Sequence, residues 1–99
     1  MSFAEFLETV RREASAPAAW RPALRALWAD ARGDWDTAHE LAQLADDAEG
    51  AWVHAYLHRK EGDLANAAYW YRRAGRPVEH GDLAVEWRAI SEALVTREG

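Results

Sequence analysis

The residues best suited to chemistry lie in one short stretch: His54, His58 and Glu61, spaced four and three apart. On an α-helix those spacings put all three on one face. Two imidazoles one turn apart can chelate a metal ion, and a carboxylate below them could complete a facial set. The stretch lacks a Glu beside the first His, which is the general base of a zinc-hydrolase helix. No metal ion, no cofactor and no catalytic residue is therefore assigned. Two other roles stay open for the pair. They are solvated or hydrogen-bonded side chains on a polar stripe, or they contact an organic ligand whose affinity their protonation near neutral pH would tune.

A second constellation follows. Asn66, Tyr69 and Arg73, spaced three and four apart, line up along one side of the next helical stretch with Arg72 nearby. An amide, a phenol and a guanidinium in one column can bind a carboxylate or phosphate through directed hydrogen bonds. The same column also fits a plain surface, with Arg73 packed over Tyr69 and paired with an acid of a neighbouring helix.

Helical elements must position these residues, and the signals for their ends are clear. Ser2-Phe3-Ala4-Glu5 is a capping-box pattern that opens a first helix over 3–14, burying Phe3, Phe6, Leu7 and Val10. Ser15-Ala16-Pro17 breaks it, and a second helix starts near Ala19 or at Pro22 and runs to Arg32. Gly33 supplies a left-handed end and Asp34 caps a third helix over 35–46. A short turn over 46–50 leads to a fourth helix at 51–61, closed by Gly62. Asp63 then opens a fifth over 64–74, which Gly75 and Pro77 end. A third Gly-Asp elbow, Gly81-Asp82, precedes a last helix over 83–97 whose apolar set is Leu83, Val85, Trp87, Ile90, Leu94 and Val95. The fourth helix carries an apolar arc of Trp52, Val53, Ala55, Tyr56 and Leu57. The fifth carries Leu64, Ala67, Ala68, Trp70, Tyr71 and Ala74.

Composition agrees with an all-α fold of about six short antiparallel helices. Of 99 residues 49% are hydrophobic, and alanine, the best helix former, is about a fifth of the chain. This length makes one domain. It divides into an N-terminal helix (1–16), two helical hairpins (22–49 and 51–77) and a C-terminal capping helix (82–98). Six Trp supply bulk for the core, and each buried indole N–H needs an acceptor. There is no cysteine, which excludes disulfides, thiolate catalysis and Cys-ligated zinc. A net charge of −5 argues against nucleic acid as a partner, and no apolar run is long enough to cross a membrane. Met1-Ser2-Phe3-Ala4-Glu5 has an early acid and no basic region, unlike a signal peptide, so a cytoplasmic location is expected. Charge is uneven: residues 33–50 hold six acids and no Lys or Arg, whereas 59–76 hold five bases against Glu61 and Asp63. These are two solvated faces, paired with each other or not, or else an anion-attracting surface or a head-to-tail contact.

The two hairpins match. Ala26-Leu27-Trp28 leads to Gly33-Asp34, and Ala55-Tyr56-Leu57 leads to Gly62-Asp63, an offset of 29 residues. Trp52, Ala55, Gly62-Asp63, Ala67, Tyr71, Ala74 and Pro77 together resemble a tetratricopeptide repeat, and Ala68-Tyr-Trp-Tyr-Arg-Arg-Ala74 resembles the core of Sel-like repeats. The resemblance covers 22–77 and is weaker in the first copy, which lacks the terminal Pro. It implies that the first helix of each pair lines a concave groove, directing Trp52, Tyr56, Arg59 and Lys60 into it with Asp30 from the first copy. The expected function is a binding module for a protein, peptide or small anionic ligand. The candidate contact residues are Trp52, His54, Tyr56, His58, Arg59, Lys60, Asn66, Tyr69 and Arg73. A small His- or metal-dependent enzyme using His54 and His58, and a structural subunit that forms homo-oligomers, are the alternatives.

Overall fold

The computed structural model describes residues 1–98. Six helices follow one another: α1 (Phe3–Arg12), α2 (Pro22–Ala31), α3 (Trp35–Leu44), α4 (Ala48–Lys60), α5 (Leu64–Ala74) and α6 (Leu83–Glu98). No strand occurs among the described residues, and the fold is all-α. The N-terminal caps of α1, α3 and α5 form as the sequence directs, whereas α1 and α3 each stop two residues short of the expected 14 and 46. Ser2 and Glu5 exchange the two bonds of a capping box, and Asp34 and Asp63 accept from the third backbone N–H of α3 and α5.

The two elbows are superposable in their hydrogen bonding. Asp34 N–H donates to the Ala29 carbonyl and Asp63 N–H to the His58 carbonyl, both at 3.0 Å and 29 residues apart. Each bond is made possible by a glycine at positive φ, Gly33 at 81° and Gly62 at 90°. Thus α2 packs on α3 and α4 on α5 as two hairpins.

The expected turn over 46–50 is shorter than the sequence suggested, because α4 begins at Ala48, with Asp47 as its cap. Gly50 lies inside that helix, and only a glycine fits there: a Cβ would stand 2.0 Å from the Ala45 carbonyl oxygen. The close approach drives α4 into the middle of the molecule, where it touches α2, α3, α5 and α6. From Glu49 to His58 every residue except Trp52 is buried. His54 and His58 of the polar stripe expected on α4 are therefore interior, while Glu61 is the exposed C-cap of the helix.

The main core gathers Phe6, Leu24, Leu27, Val53, Tyr56, Leu57, Ile90 and Leu94, with Trp20, Trp35 and Trp87 packed at its edge. A smaller cluster of Ala55, Ala67 and Tyr71 joins α4 to α5 between Trp52 and Trp70. The capping helix α6 lies on α4, α2 and α1 and so closes both hairpins at once. Two residues assigned to apolar faces are exposed instead, Leu64 at 65% and Val85 at 66%. Leu64 is the first residue of α5 and has no helix beyond it to cover it; Val85 points away from the α6 stripe formed by Glu86, Ile90 and Leu94.

Three buried carboxylates cross-link the helices, each with cationic and hydroxyl or doubled cationic partners, as burial requires. Asp30 accepts from Tyr56 Oη (2.9 Å) and Lys60 Nζ (2.8 Å). Glu49 binds Arg21 and Arg97, and Glu86 binds Arg59 Nε (3.0 Å) and Tyr71 Oη. The bases of α4 are thus spent on Asp30 and Glu86, and not on the acidic run of 33–50.

Candidate functional site

Three histidines meet where α3 crosses α4. His39 Nε2 lies 2.9 Å from His54 Nε2. The His58 ring stacks on His54 at 4.8 Å and meets His39 edge-on at 5.1 Å. One ring nitrogen from each histidine falls within 4.8 Å of the other two. His54 and His58 are 3% and 6% exposed, and His39 is half-buried.

Aromatic walls fix these rings. Trp35, one turn before His39 on α3, stacks on it at 4.9 Å with the planes 8° apart. Its indole N–H donates to the Leu57 carbonyl at 2.9 Å, which ties α3 to α4. On the other side Trp70 of α5 stacks on His54 at 3.8 Å and 12°. The Glu61 carboxylate sits 2.6 Å from His58 Nδ1 and sets that ring's orientation. Burial, followed by the neighbouring His39 and His58, pushes His54 down to about 4. Burial also lowers His39, with His58 next in effect, against the opposing pull of Glu61, Asp36 and Glu40. His54 is therefore neutral at pH 7, and His39 is shifted towards its neutral form.

Above His54 opens a cleft of about 370 Å³ between the α3–α4 connection and α5, lined by Asp46, Asp47, Ala51, His54, Trp70 and Arg73 among others. Arg73 stands 5.2 Å over the Trp70 ring and donates to Tyr69 Oη at 3.1 Å. The Asp47 carboxylate is committed to the Gly50 N–H at 2.8 Å, while Asp46 is exposed at the rim. A cleft of similar size between the α1–α2 connection, α2 and α3 is lined by Arg25, Trp28 and Arg32 among others and contains none of the histidines.

The structure separates the nine expected contact residues into three groups. His54, His58 and Arg73 gather at this site, with Tyr69 attached through Arg73. Tyr56 and Lys60, with Asp30, line a separate open cleft of about 340 Å³ bounded by Leu83, Ala84 and Trp87, and Arg59 is not among its lining residues. Tyr56 is 3% exposed on Asp30, Arg59 is held by Glu86 and the Gly81 carbonyl, and Lys60 reaches back to Asp30. Because α4 is surrounded, these polar residues also find partners inside the fold. Trp52 and Asn66 stand apart: Arg76 covers the Trp52 ring at 3.5 Å, and the Asn66 amide turns to its own cap, Asp63, at 3.4 Å.

One member was missed: His39. Its signal was present in the spacing. Residues equally far from the turn of an antiparallel hairpin lie at the same height, and His39 is seven before Asp46 as His54 is seven after Asp47. Seeing it required the α3–α4 connection to be placed correctly.

No family model, curated protein or solved structure matches the chain.

Proposed function

We propose that the protein is a small binding module of the tetratricopeptide-like kind, and that its ligand occupies the α3–α5 cleft and carries a carboxylate. The observation that carries this is the convergence of His54, Trp70 and Arg73, all from the second hairpin, on one cleft. Arg73 spends one donor on Tyr69 and has further N–H groups for a bidentate carboxylate contact. Trp70 offers a flat apolar surface, and Asp46 at the rim favours a positive group on the same ligand. Together these suit an amino acid or a peptide end, which bears both charges. The matched elbows at Gly33 and Gly62 support the repeat reading, and a chain without cysteine is at home in the cytoplasm.

The test is calorimetric titration with a panel of free amino acids and dipeptides, repeated on Arg73→Ala and Trp70→Ala. Arg73 is exposed and Trp70 only half-buried, so Arg73→Ala should fold normally. Saturable binding that falls about tenfold or more in Arg73→Ala is expected, the range for a lost charge-assisted bond. Equal binding by wild type and Arg73→Ala would remove the cleft as the site.

A further inference from the structure

We infer that His39, His54 and His58 form a binding site for a divalent transition-metal ion of the zinc type, beneath the cleft floor. This stands independently of the ligand proposed above, because it rests on ring-nitrogen geometry and not on the cleft's lining.

The donor set selects the metal. Imidazole nitrogen suits zinc, cobalt, nickel and copper, whereas magnesium and calcium demand oxygen ligands that this trio lacks. The spacing is near what such an ion needs. Tetrahedral bonds of about 2.0–2.1 Å put ligand nitrogens roughly 3.3 Å apart. Here one pair is at 2.9 Å and all three nitrogens lie within 4.8 Å. The set must draw in from separations of up to 4.8 Å for one ion to touch all three. The three histidines come from two helices locked together by the Trp35–Leu57 bond, so the arrangement is held before any ion arrives.

The surroundings are those of a ligating histidine. A metal-bound imidazole characteristically gives its other N–H to a carboxylate, which fixes the tautomer and raises ligand basicity. Glu61 on His58 Nδ1 does this and leaves Nε2 as the ligating atom. Asp63, which could group with His58 and Glu61, is occupied as the cap of α5. Three protein ligands leave a fourth position, and His54 lines the cleft, so that position is open to water or to a carboxylate entering there.

The experiment uses the full chain without a histidine tag, stripped with a chelator and titrated with cobalt(II) and zinc(II). One equivalent should bind, with the visible bands of four-coordinate cobalt and a change in tryptophan emission from the rings stacked on His39 and His54. Zinc should displace the cobalt. His39→Ala, at a half-exposed position that should fold, is expected to lower affinity about 100-fold. Glu61→Gln, a positioning change, should lower it about 10-fold. His80→Ala, at the exposed histidine outside the cluster, should change nothing. Absence of saturable one-to-one binding by wild type, or unaltered affinity in His39→Ala, overturns the inference. So does loss of binding in His80→Ala.

Discussion

His39 and His54 face each other with their Nε2 atoms 2.9 Å apart, so in the metal-free protein one ring donates and the other accepts. Protonating the acceptor destroys that bond and places a charge among buried aromatic rings beside His58. Burial first, and the neighbouring imidazoles second, are why His54 is pushed down to about 4 from its ordinary 6.5 and why His39 moves the same way. The consequence is a pH-dependent stability. Between about 6.5 and 4 the unfolded chain takes up a proton that folded His54 refuses, so stability is full above this window and falls as pH drops through it. From pH 7 to pH 5 the contribution of His54 is a loss of about 2 kcal/mol. Urea unfolding of chelator-treated wild type and His54→Gln at both pH values isolates it, since the carboxylates are common to both. The variant should lose that part of the pH dependence; equal dependence would count against a neutral buried His54.

Much of this was legible in the sequence, and the division has a physical basis. Helix ends are set by local chemistry, so Ser2, Asp34, Asp63 and the elbow glycines announced themselves, and with them the hairpins. Which side of α4 meets solvent is not local. His54 and Arg59 sit on a helix whose own pattern is weakly amphipathic, and only the arrival of α3, α5 and α6 turns its polar residues inward. The metal-capable trio combines both cases: His54 and His58 share a helix and were visible as a pair, whereas His39 joins from α3. The buried triad around Glu86 was hidden for the same reason, since its partners lie 15 and 27 residues away, whereas the repeat resemblance already brought Tyr56 and Lys60 towards Asp30.

Gly50 is where α3's exit touches α4, and replacing it should reveal how tightly that contact is made. An alanine Cβ would meet backbone and side chain of Ala45 at 2.0 and 2.6 Å, contacts that no rotamer change relieves. Gly50→Ala should therefore cost about 2–3 kcal/mol as overpacking. Gly62 is the comparison. Its φ is 90°, and an added Cβ there meets nothing within 4 Å, so Gly62→Ala should cost only the left-handed strain of about 1–2 kcal/mol. Thermal or urea unfolding orders the two, and the larger loss at Gly62 would mean that the Ala45–Gly50 approach yields easily. Because the same connection places Asp46 and Ala51 around the cleft, Gly50→Ala should disturb the site as well as the fold.

Two buried polar residues on α6 should respond to substitution with opposite signs. Glu86 is 5% exposed and fully engaged, accepting from Arg59 and from the Tyr71 hydroxyl. Burial raises its pKa, while the Tyr71 bond and the Arg59 charge pull the other way, so the carboxylate depends on both partners. Removing it in Glu86→Ala leaves a guanidinium whose side chain is 10% exposed without its charged partner, holding only to the Gly81 carbonyl, and leaves a buried phenol without its acceptor, at a cost of about 3–5 kcal/mol. Ser91 is completely buried, yet its hydroxyl has no hydrogen-bond partner. An unsatisfied buried hydroxyl costs about 1–3 kcal/mol, and Ser91→Ala removes it while adding a better helix former at nearly the same volume. Ser91→Ala should thus raise the unfolding free energy by about 1 kcal/mol. A destabilised Ser91→Ala would show that the hydroxyl does find an acceptor in the folded protein, and an unchanged Glu86→Ala would show that Arg59 and Tyr71 find other partners. Both are read from the same urea titration, with the far-ultraviolet helix signal confirming that each variant keeps its six helices.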